Sequence, residues 1–506
     1  MFRNNFILAI LIGLVIGFGT TVATQNPYDV HIKGGLVIDG TGEKAYEADI
    51  LIKADSIAFI GMINANTIHA EKTIDAAGKV ISPGFIDVHA HGNPLSTPEF
   101  QNFLAMGVTT ILLGQDGSCP TNASLENWFN RVQEAQPAIN IATLAGHGTL
   151  RRNAGLEKNT VVHERNLEAM EEQLKAKLND GAFGLSLGLE YVPGLYAEAQ
   201  ELERLAKVTG AYDGIVMSHM RNEDDSRILA SLEELAGLGK YSKVHASHLK
   251  VVYGKGAERA REILNQLRTY QDNGIDITAD TYPYAASFTG IGIVFPGWAK
   301  TEEEWKQAMN ENPGILREYL TSKVEQRNGP EAILFGTGKY AGKTLKEAAA
   351  SEGISPVDLL LEIGPGGASA AHFVMNGALQ DEIAVAIDIM ISSDGSPTMR
   401  HPRGYGSFAK VIHKYVVEED RLPLEKAVYK MSGLPAKTLG ITHRGTLAVG
   451  NKADILIFNP NEIKDRATFE SPHELAAGFH WVIVNGKVAK EGDVFSGDRN
   501  GSVLRK

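Results

Sequence analysis

The sequence predicts a (β/α)8 barrel carrying a small β-sandwich built from both chain ends, with an insert late in the barrel. Through the middle of the 506-residue chain, apolar strand-like runs alternate with helical stretches such as 197–208 and 257–267, the mark of βα units. Eight of those runs are closed or followed by polar residues. Both ends of the chain instead carry short alternating runs broken by turns, the period of half-buried strands. A doubly wound open sheet is the runner-up architecture.

At the amino terminus, Arg3 precedes an apolar run over 6–18 that gives way to Gly19-Thr20-Thr21-Val22-Ala23. This basic, apolar, small-residue order predicts a signal peptide over 1–23 and export to the periplasm or beyond. An uncleaved anchor is the alternative, because residues 6–23 barely reach the length of a bilayer span. No later segment of 18 or more apolar residues follows, so no stable membrane insertion is expected after cleavage.

The sandwich is expected over 24–82 and 436–506. Its first part holds Val30-His31-Ile32, Gly35-Leu36-Val37-Ile38 and Asp49-Ile50-Leu51-Ile52, with turn chemistry at Asp39-Gly40-Thr41-Gly42. The style returns at Ala453-Asp454-Ile455-Leu456-Ile457 and Trp481-Val482-Ile483-Val484-Asn485-Gly486.

The barrel is expected over 83–435. Its strands end at Asp87-Val88-His89, Leu112-Leu113-Gly114, Thr143-Leu144-Ala145, Leu185-Ser186-Leu187, Val216-Met217-Ser218, Ala246-Ser247-His248, Thr278-Ala279-Asp280 and Ile391-Ser392-Ser393. The first seven recur about every 25 to 42 residues and the last gap exceeds 100, which predicts an insert at about 290–345. Two further apolar runs, Ala332-Ile333-Leu334-Phe335 and His372-Phe373-Val374-Met375, leave the strand count open by one or two.

Composition narrows the function. With 49 basic and 61 acidic residues the net charge is −12, and no Lys/Arg run appears, so nucleic acid is not an expected partner. A single cysteine, Cys119, excludes an internal disulfide and a Cys-rich zinc module.

The carboxyl ends of barrel strands converge on one mouth. There the chain places His89 and His91, then Asp116, His147, Glu190 and Tyr191, His219, His248, Tyr282 and Asp394. Each alone reads as a core residue or a turn; Asp394 in Ser393-Asp394-Gly395 reads as an Asx-turn. Together they form a ring. His89-Ala90-His91 puts both imidazoles on one side of an extended strand end. With His219, His248, Asp116 and Asp394 they form an N/O donor set suited to zinc, which lowers the pKa of its water to about 7. Asp394 is the carboxylate placed to take that proton and return it to a leaving amine.

These residues carry a resemblance. Val80-Ile81-Ser82-Pro83-Gly84-Phe85-Ile86-Asp87-Val88-His89-Ala90-His91 resembles the opening of the metal-dependent amidohydrolase superfamily, and Gly445-Thr446-Leu447 with Lys452-Ala453-Asp454 its return to the sandwich. Gly146-His147-Gly148-Thr149-Leu150-Arg151, Ser218-His219-Met220-Arg221-Asn222-Glu223, Ser247-His248-Leu249-Lys250, Asp280-Thr281-Tyr282-Pro283-Tyr284 and His401-Pro402-Arg403 resemble, more narrowly, the D-aminoacylases or N-acyl-D-amino-acid deacylases. The resemblance implies hydrolysis of the amide of an N-acyl-D-amino acid, with one or two divalent metal ions, zinc first. It implies a firmly held zinc on His219, His248 and a second-strand residue, and a weaker position on His89, His91 and Asp394, the last also general base and acid. It implies that Lys250 and Arg403, with Tyr191 and Tyr282 alongside, grip the substrate carboxylate, as a planar guanidinium fork and an ammonium point charge can.

One departure stands out. The family carries a cysteine in a Gly-Asn-Cys-Gly setting on the second-strand segment, where this chain reads Gly114-Gln115-Asp116-Gly117-Ser118-Cys119. Asp116 is the expected ligand and Cys119 the alternative. A carboxylate can bridge two ions and suits harder metals. A cyclic-amide or dipeptide hydrolase, dihydroorotase-like or isoaspartyl-dipeptidase-like, is the second enzymatic reading. A non-catalytic extracytoplasmic solute-binding protein is the third.

Overall fold

The computed structural model describes residues 27–63, 68–121 and 123–506; the expected signal peptide, 1–23, lies outside the described residues. The chain folds as a (β/α)8 barrel joined to a β-sandwich. Barrel strands run at Phe85–Asp87, Val108–Leu113, Asn140–Thr143 continued by Ala145–Gly146, Gly184–Gly188, Ile215–His219, Lys243–Ala246, Ile277–Thr281 and Ile389–Ile391. All neighbouring pairs are parallel. A parallel bridge between Ala90 and Gly395 closes the ring, with His91 N–H donating to Gly395 O and Asp394 N–H to His89 O, both at 2.8 Å.

Strands buried on both faces need unbroken apolar runs, and all six residues of Val108–Leu113 are buried. The outer helices need only a stripe. Ala199–Ala211 buries Leu202, Leu205, Ala206 and Thr209, and Gly256–Asp272 buries Ala260, Ile263, Leu264 and Leu267. Each fully buried Leu or Ile is worth roughly 1.5–3 kcal/mol over an exposed one. Among the described residues, no helix is long and apolar enough to cross a membrane.

The two chain ends share one nine-stranded sheet, in which Val80–Pro83 pairs with both Tyr28–Val37 and Ile455–Phe458. It wraps a core of Ile32, Ile50, Ile57 and Ile81 from one end and Ala453, Ile455, Ile457 and Ile483 from the other.

The insert is longer than 290–345. Ser287–Gly290 pairs antiparallel with Ser369–His372, which also pairs with Ile333–Phe335. The run at 332–335 therefore belongs to a separate three-stranded sheet, and the run at 372–375 begins where the middle strand of that sheet ends, so neither is a barrel strand. Helices Glu302–Glu311, Pro313–Gln326, Leu345–Glu352 and Pro356–Ile363 pack on it around Leu316, Leu320, Phe335, Leu345 and Leu359.

Candidate metal centre

Six donors are set at the mouth by strand ends. His219 is the last residue of its strand, and His89 and His91 follow theirs. Asp116, His248 and Asp394 adopt φ of 54°, 38° and 45°, a left-handed conformation that costs L-residues roughly 1–2 kcal/mol and that a surrounding scaffold must hold. Parts of that scaffold are visible. Gln115 Nε2 donates to Val88 O at 2.9 Å, pinning the Asp116 turn to the first strand. Gly188 approaches the same turn so closely that a Cβ would stand 2.2 Å from Asp116 O. Buried Asp87 accepts from the backbone N–H groups of His89 and Ser393, each at 3.1 Å, joining the first strand to the last. Burial pushes the Asp87 carboxyl up to about 7 against those bonds.

Two donors each about 2.1 Å from one ion in a tetrahedron stand about 3.4 Å apart. His89 Nε2 lies 3.4 Å from Asp116 Oδ1, His91 Nε2 3.4 Å from Asp116 Oδ2, and His248 Nε2 3.5 Å from Asp116 Oδ1. His219 Nδ1 is 3.8 Å from Asp116 Oδ1 and 3.0 Å from His248 Nε2. His91 Nε2 is 3.1 Å and His89 Nε2 3.8 Å from Asp394 Oδ1. Most of these spacings exceed hydrogen-bond length and match the edge of a coordination polyhedron. The donors form two groups sharing Asp116: His89, His91, Asp116 and Asp394, and Asp116, His219 and His248. His89 Nε2 and Asp116 Oδ1 are buried without a hydrogen-bond partner, a costly state for polar atoms unless another ligand satisfies them. Imidazole nitrogens and carboxylate oxygens, with no thiolate, fit a divalent ion of the zinc class.

The electrostatics also favour positive charge here. Burial opposes protonation of His91 and His248, yet Asp116 with Asp394 lifts the first to about 9, and Asp116 with Glu223 lifts the second to about 10 in spite of Lys250. Burial likewise raises Asp394, but Arg403 and the imidazoles outweigh it and hold the carboxyl well below the usual range.

The remaining predicted residues are placed as follows. Arg403 Nη1 donates to Asp394 Oδ2 at 2.9 Å, and its guanidinium lies 4.6 Å over the Tyr282 ring. Tyr282 is fully buried and its hydroxyl points to Met375 Sδ, so it backs Arg403 from behind the cavity wall. Lys250 Nζ pairs with Glu223 at 2.6 Å and lies 2.9 Å from His248 Nδ1. The Tyr191 ring sits 4.4 Å from that of His219. His91, Asp116, Tyr191, His219, His248, Lys250, Asp394 and Arg403 line one cavity of about 360 Å³.

Cys119 stands outside the donor groups and is held by Thr149 Oγ1, which accepts from its N–H. His147 turns away, bonding Glu201 at 2.6 Å in a buried group with Arg151. Two site acids were not singled out as ligand supports. Glu223 lies 3.2 Å from His248 Nδ1 and Glu190 3.1 Å from His219 Nε2, the outer contacts that fix imidazole orientation at metal sites. Glu223 closes the motif begun at Ser218, and Glu190 precedes Tyr191, but only the folded chain aims them.

A barrel with its mouth ringed by imidazoles and carboxylates, and a sandwich from both ends, defines a hydrolase class: the chain belongs to the amidohydrolase family, whose model matches residues 72–351 and 330–489. It is 32% identical over 488 residues to the N-acyl-D-glutamate deacylase of Alcaligenes xylosoxydans xylosoxydans, covering 91% of this chain and 93% of that one. It is 30% identical over 509 residues to the D-aminoacylase of the same organism, covering 95% and 98%. The crystal structure of N-acyl-D-glutamate deacylase from Bordetella bronchiseptica, complexed with zinc and a phosphonate mimic of the tetrahedral intermediate, superposes with a TM-score of 0.83 at 30% identity, covering 95% of this chain and 100% of that one.

Proposed function

We propose that this chain is a metal-dependent amidohydrolase that cleaves N-acyl-D-amino acids to a carboxylate and a free D-amino acid. The observation that carries this reading is the convergence of six donor atoms, at coordination-edge spacing, beside Arg403 and Lys250 in one cavity. His219, His248 and Asp116 would hold one ion, and His89, His91 and Asp394 a second through the shared Asp116 carboxylate. Bound there, zinc supplies a Lewis acid that acidifies water and polarises the amide carbonyl.

The chain's own groups do the rest. Asp394 Oδ1 faces the donor cluster while Oδ2 faces Arg403, so its carboxylate can take a proton from water and pass it to the departing amine nitrogen. An arriving α-carboxylate competes with Asp394 for the Arg403 fork, freeing Oδ2 at the moment substrate is seated. Lys250 adds positive charge, and Glu223 fixes both its position and the His248 tautomer. Tyr282, under the guanidinium, and Tyr191, against His219, limit the motion of the groups they touch.

The cyclic-amide and dipeptide readings and the solute-binding reading predict different outcomes. Zinc-loaded protein is expected to release D-methionine from N-acetyl-D-methionine and to leave the L-enantiomer intact. No release across a broad acyl panel would sink the hydrolase reading. The pattern of residues 1–23 supports export, and amino-terminal sequencing of the mature protein, expected to begin near residue 24, tests it.

A further inference from the structure

The insert brings a second cationic group to the cavity, and it is separate from Arg403 and Lys250. Arg327 caps the carboxyl end of helix Pro313–Gln326, is 5% exposed, and lines the same cavity as Asp394. Its Nε is buried without a hydrogen-bond partner, while Tyr253 and Asp224 lie close enough to its guanidinium to interact with it. A buried guanidinium with an unsatisfied donor is expensive. Its neighbours make matters worse: half-buried Lys323 and Lys300 are both held below the usual lysine range, first by burial and then partly by Arg327 itself. Two acids face this trio. Glu190 is engaged with His219 at 3.1 Å. Asp224 is pushed toward its neutral form by burial, against the pull of Lys323 and Arg327. Three cations thus face two acids, and of the cations Arg327 is the one that lines the cavity of Asp394.

We propose that Arg327, backed by Lys323 and Lys300, forms a second anion subsite, so that the preferred substrate carries a second carboxylate besides the α-carboxylate seated at Arg403. The proposal deepens the reading above and rests on it. A planar carboxylate suits the guanidinium fork, and it can come from two sources, an acidic side chain on the D-amino acid or an acidic acyl group.

The test compares kcat/KM of zinc-loaded enzyme on N-acetyl-D-glutamate against its isostere N-acetyl-D-glutamine, and on N-succinyl-D-norvaline against N-butyryl-D-norvaline. The wild type is expected to prefer one diacid over its neutral partner by about ten- to hundredfold, the scale of a buried hydrogen bond to a charged group. The pair that shows the preference identifies the source. Arg327→Gln is expected to collapse that ratio, and Arg327→Lys, a point charge in place of the fork, to restore part of it. Equal rates within both pairs in the wild type overturn the proposal, as does a preference that survives in Arg327→Gln. If Arg327→Gln fails to fold, the wild-type ratios and Arg327→Lys decide alone. If no N-acyl amino acid turns over, the proposed reaction fails separately. Calorimetric affinity for N-acetyl-D-glutamate against N-acetyl-D-glutamine, and for N-succinyl-D-norvaline against N-butyryl-D-norvaline, then decides the subsite, with equal affinities within both pairs overturning it.

Discussion

The barrel mouth and the seam between barrel and sandwich are built from the same material, buried charges beside buried amides, and they differ in what is left over. At the seam, Asp454 accepts from Arg444 and from Asn140 Nδ2 at 3.1 Å on one oxygen, and from Asn485 N–H at 2.8 Å on the other. Asn485 in turn donates to Asn140 Oδ1 at 2.8 Å and accepts from Arg444 Nη2 at 2.8 Å. The network closes on itself. At the mouth, His89 and Asp116 point polar atoms at one another across gaps too wide for hydrogen bonds and leave them unsatisfied. A complete network stabilises the fold; an incomplete one that converges on a point is a place for a ligand.

Substitutions can break that contrast. Asp394→Asn, at the mouth, is expected to lower turnover of N-acetyl-D-methionine by about 10²–10⁴-fold while circular dichroism shows the native fold retained. Arg444→Met, at the seam, is expected to do the reverse. Removing one partner of a buried pair costs about 3–5 kcal/mol, read as a lower denaturation midpoint, with turnover per folded molecule retained. Zinc sharpens the comparison: at a hundredfold its Kd it should stabilise the wild type by about 2.7 kcal/mol, and in Asp116→Ala that gain should largely vanish. A pH-dependent effect comes from Lys430, a buried amine that donates to Ala384 O and Ala386 O. Burial pushes it down to about 7. Above that pH the unfolded chain binds a proton that the folded one does not, so this group adds stability as pH rises from 7 toward its unfolded value near 10.4, about 1.4 kcal/mol per unit. Lys430→Met should lack that rise in a denaturation series across the same range.

The mouth was legible because each donor sits where an apolar run stops. His89, His219 and His248 close or follow strands that are largely apolar, and eight such endings in order define a ring before any geometry is known. The Asx-turn reading of Asp394 and its place in the site turn out to be compatible, since the left-handed backbone that suits a turn is also what aims the carboxylate inward. The insert was not legible in the same way. Its limits depend on Ser369–His372 returning to pair with Ser287–Gly290, and nothing local marks a short strand for so distant a partner. Arg327 reads as an ordinary charged residue at a helix end. Only the folding of the insert over the mouth gives it a cavity to face.

The bridge that joins Ala90 to Gly395 has a consequence for biogenesis. His91 and Asp394 are 303 positions apart, so a ribosome must deliver nearly the whole barrel before the first ligands it made meet the last. Prematurely terminated products that end ahead of the eighth strand therefore keep their histidines but lack the stave that completes the cask. Such fragments should be inert toward amides however much metal is supplied.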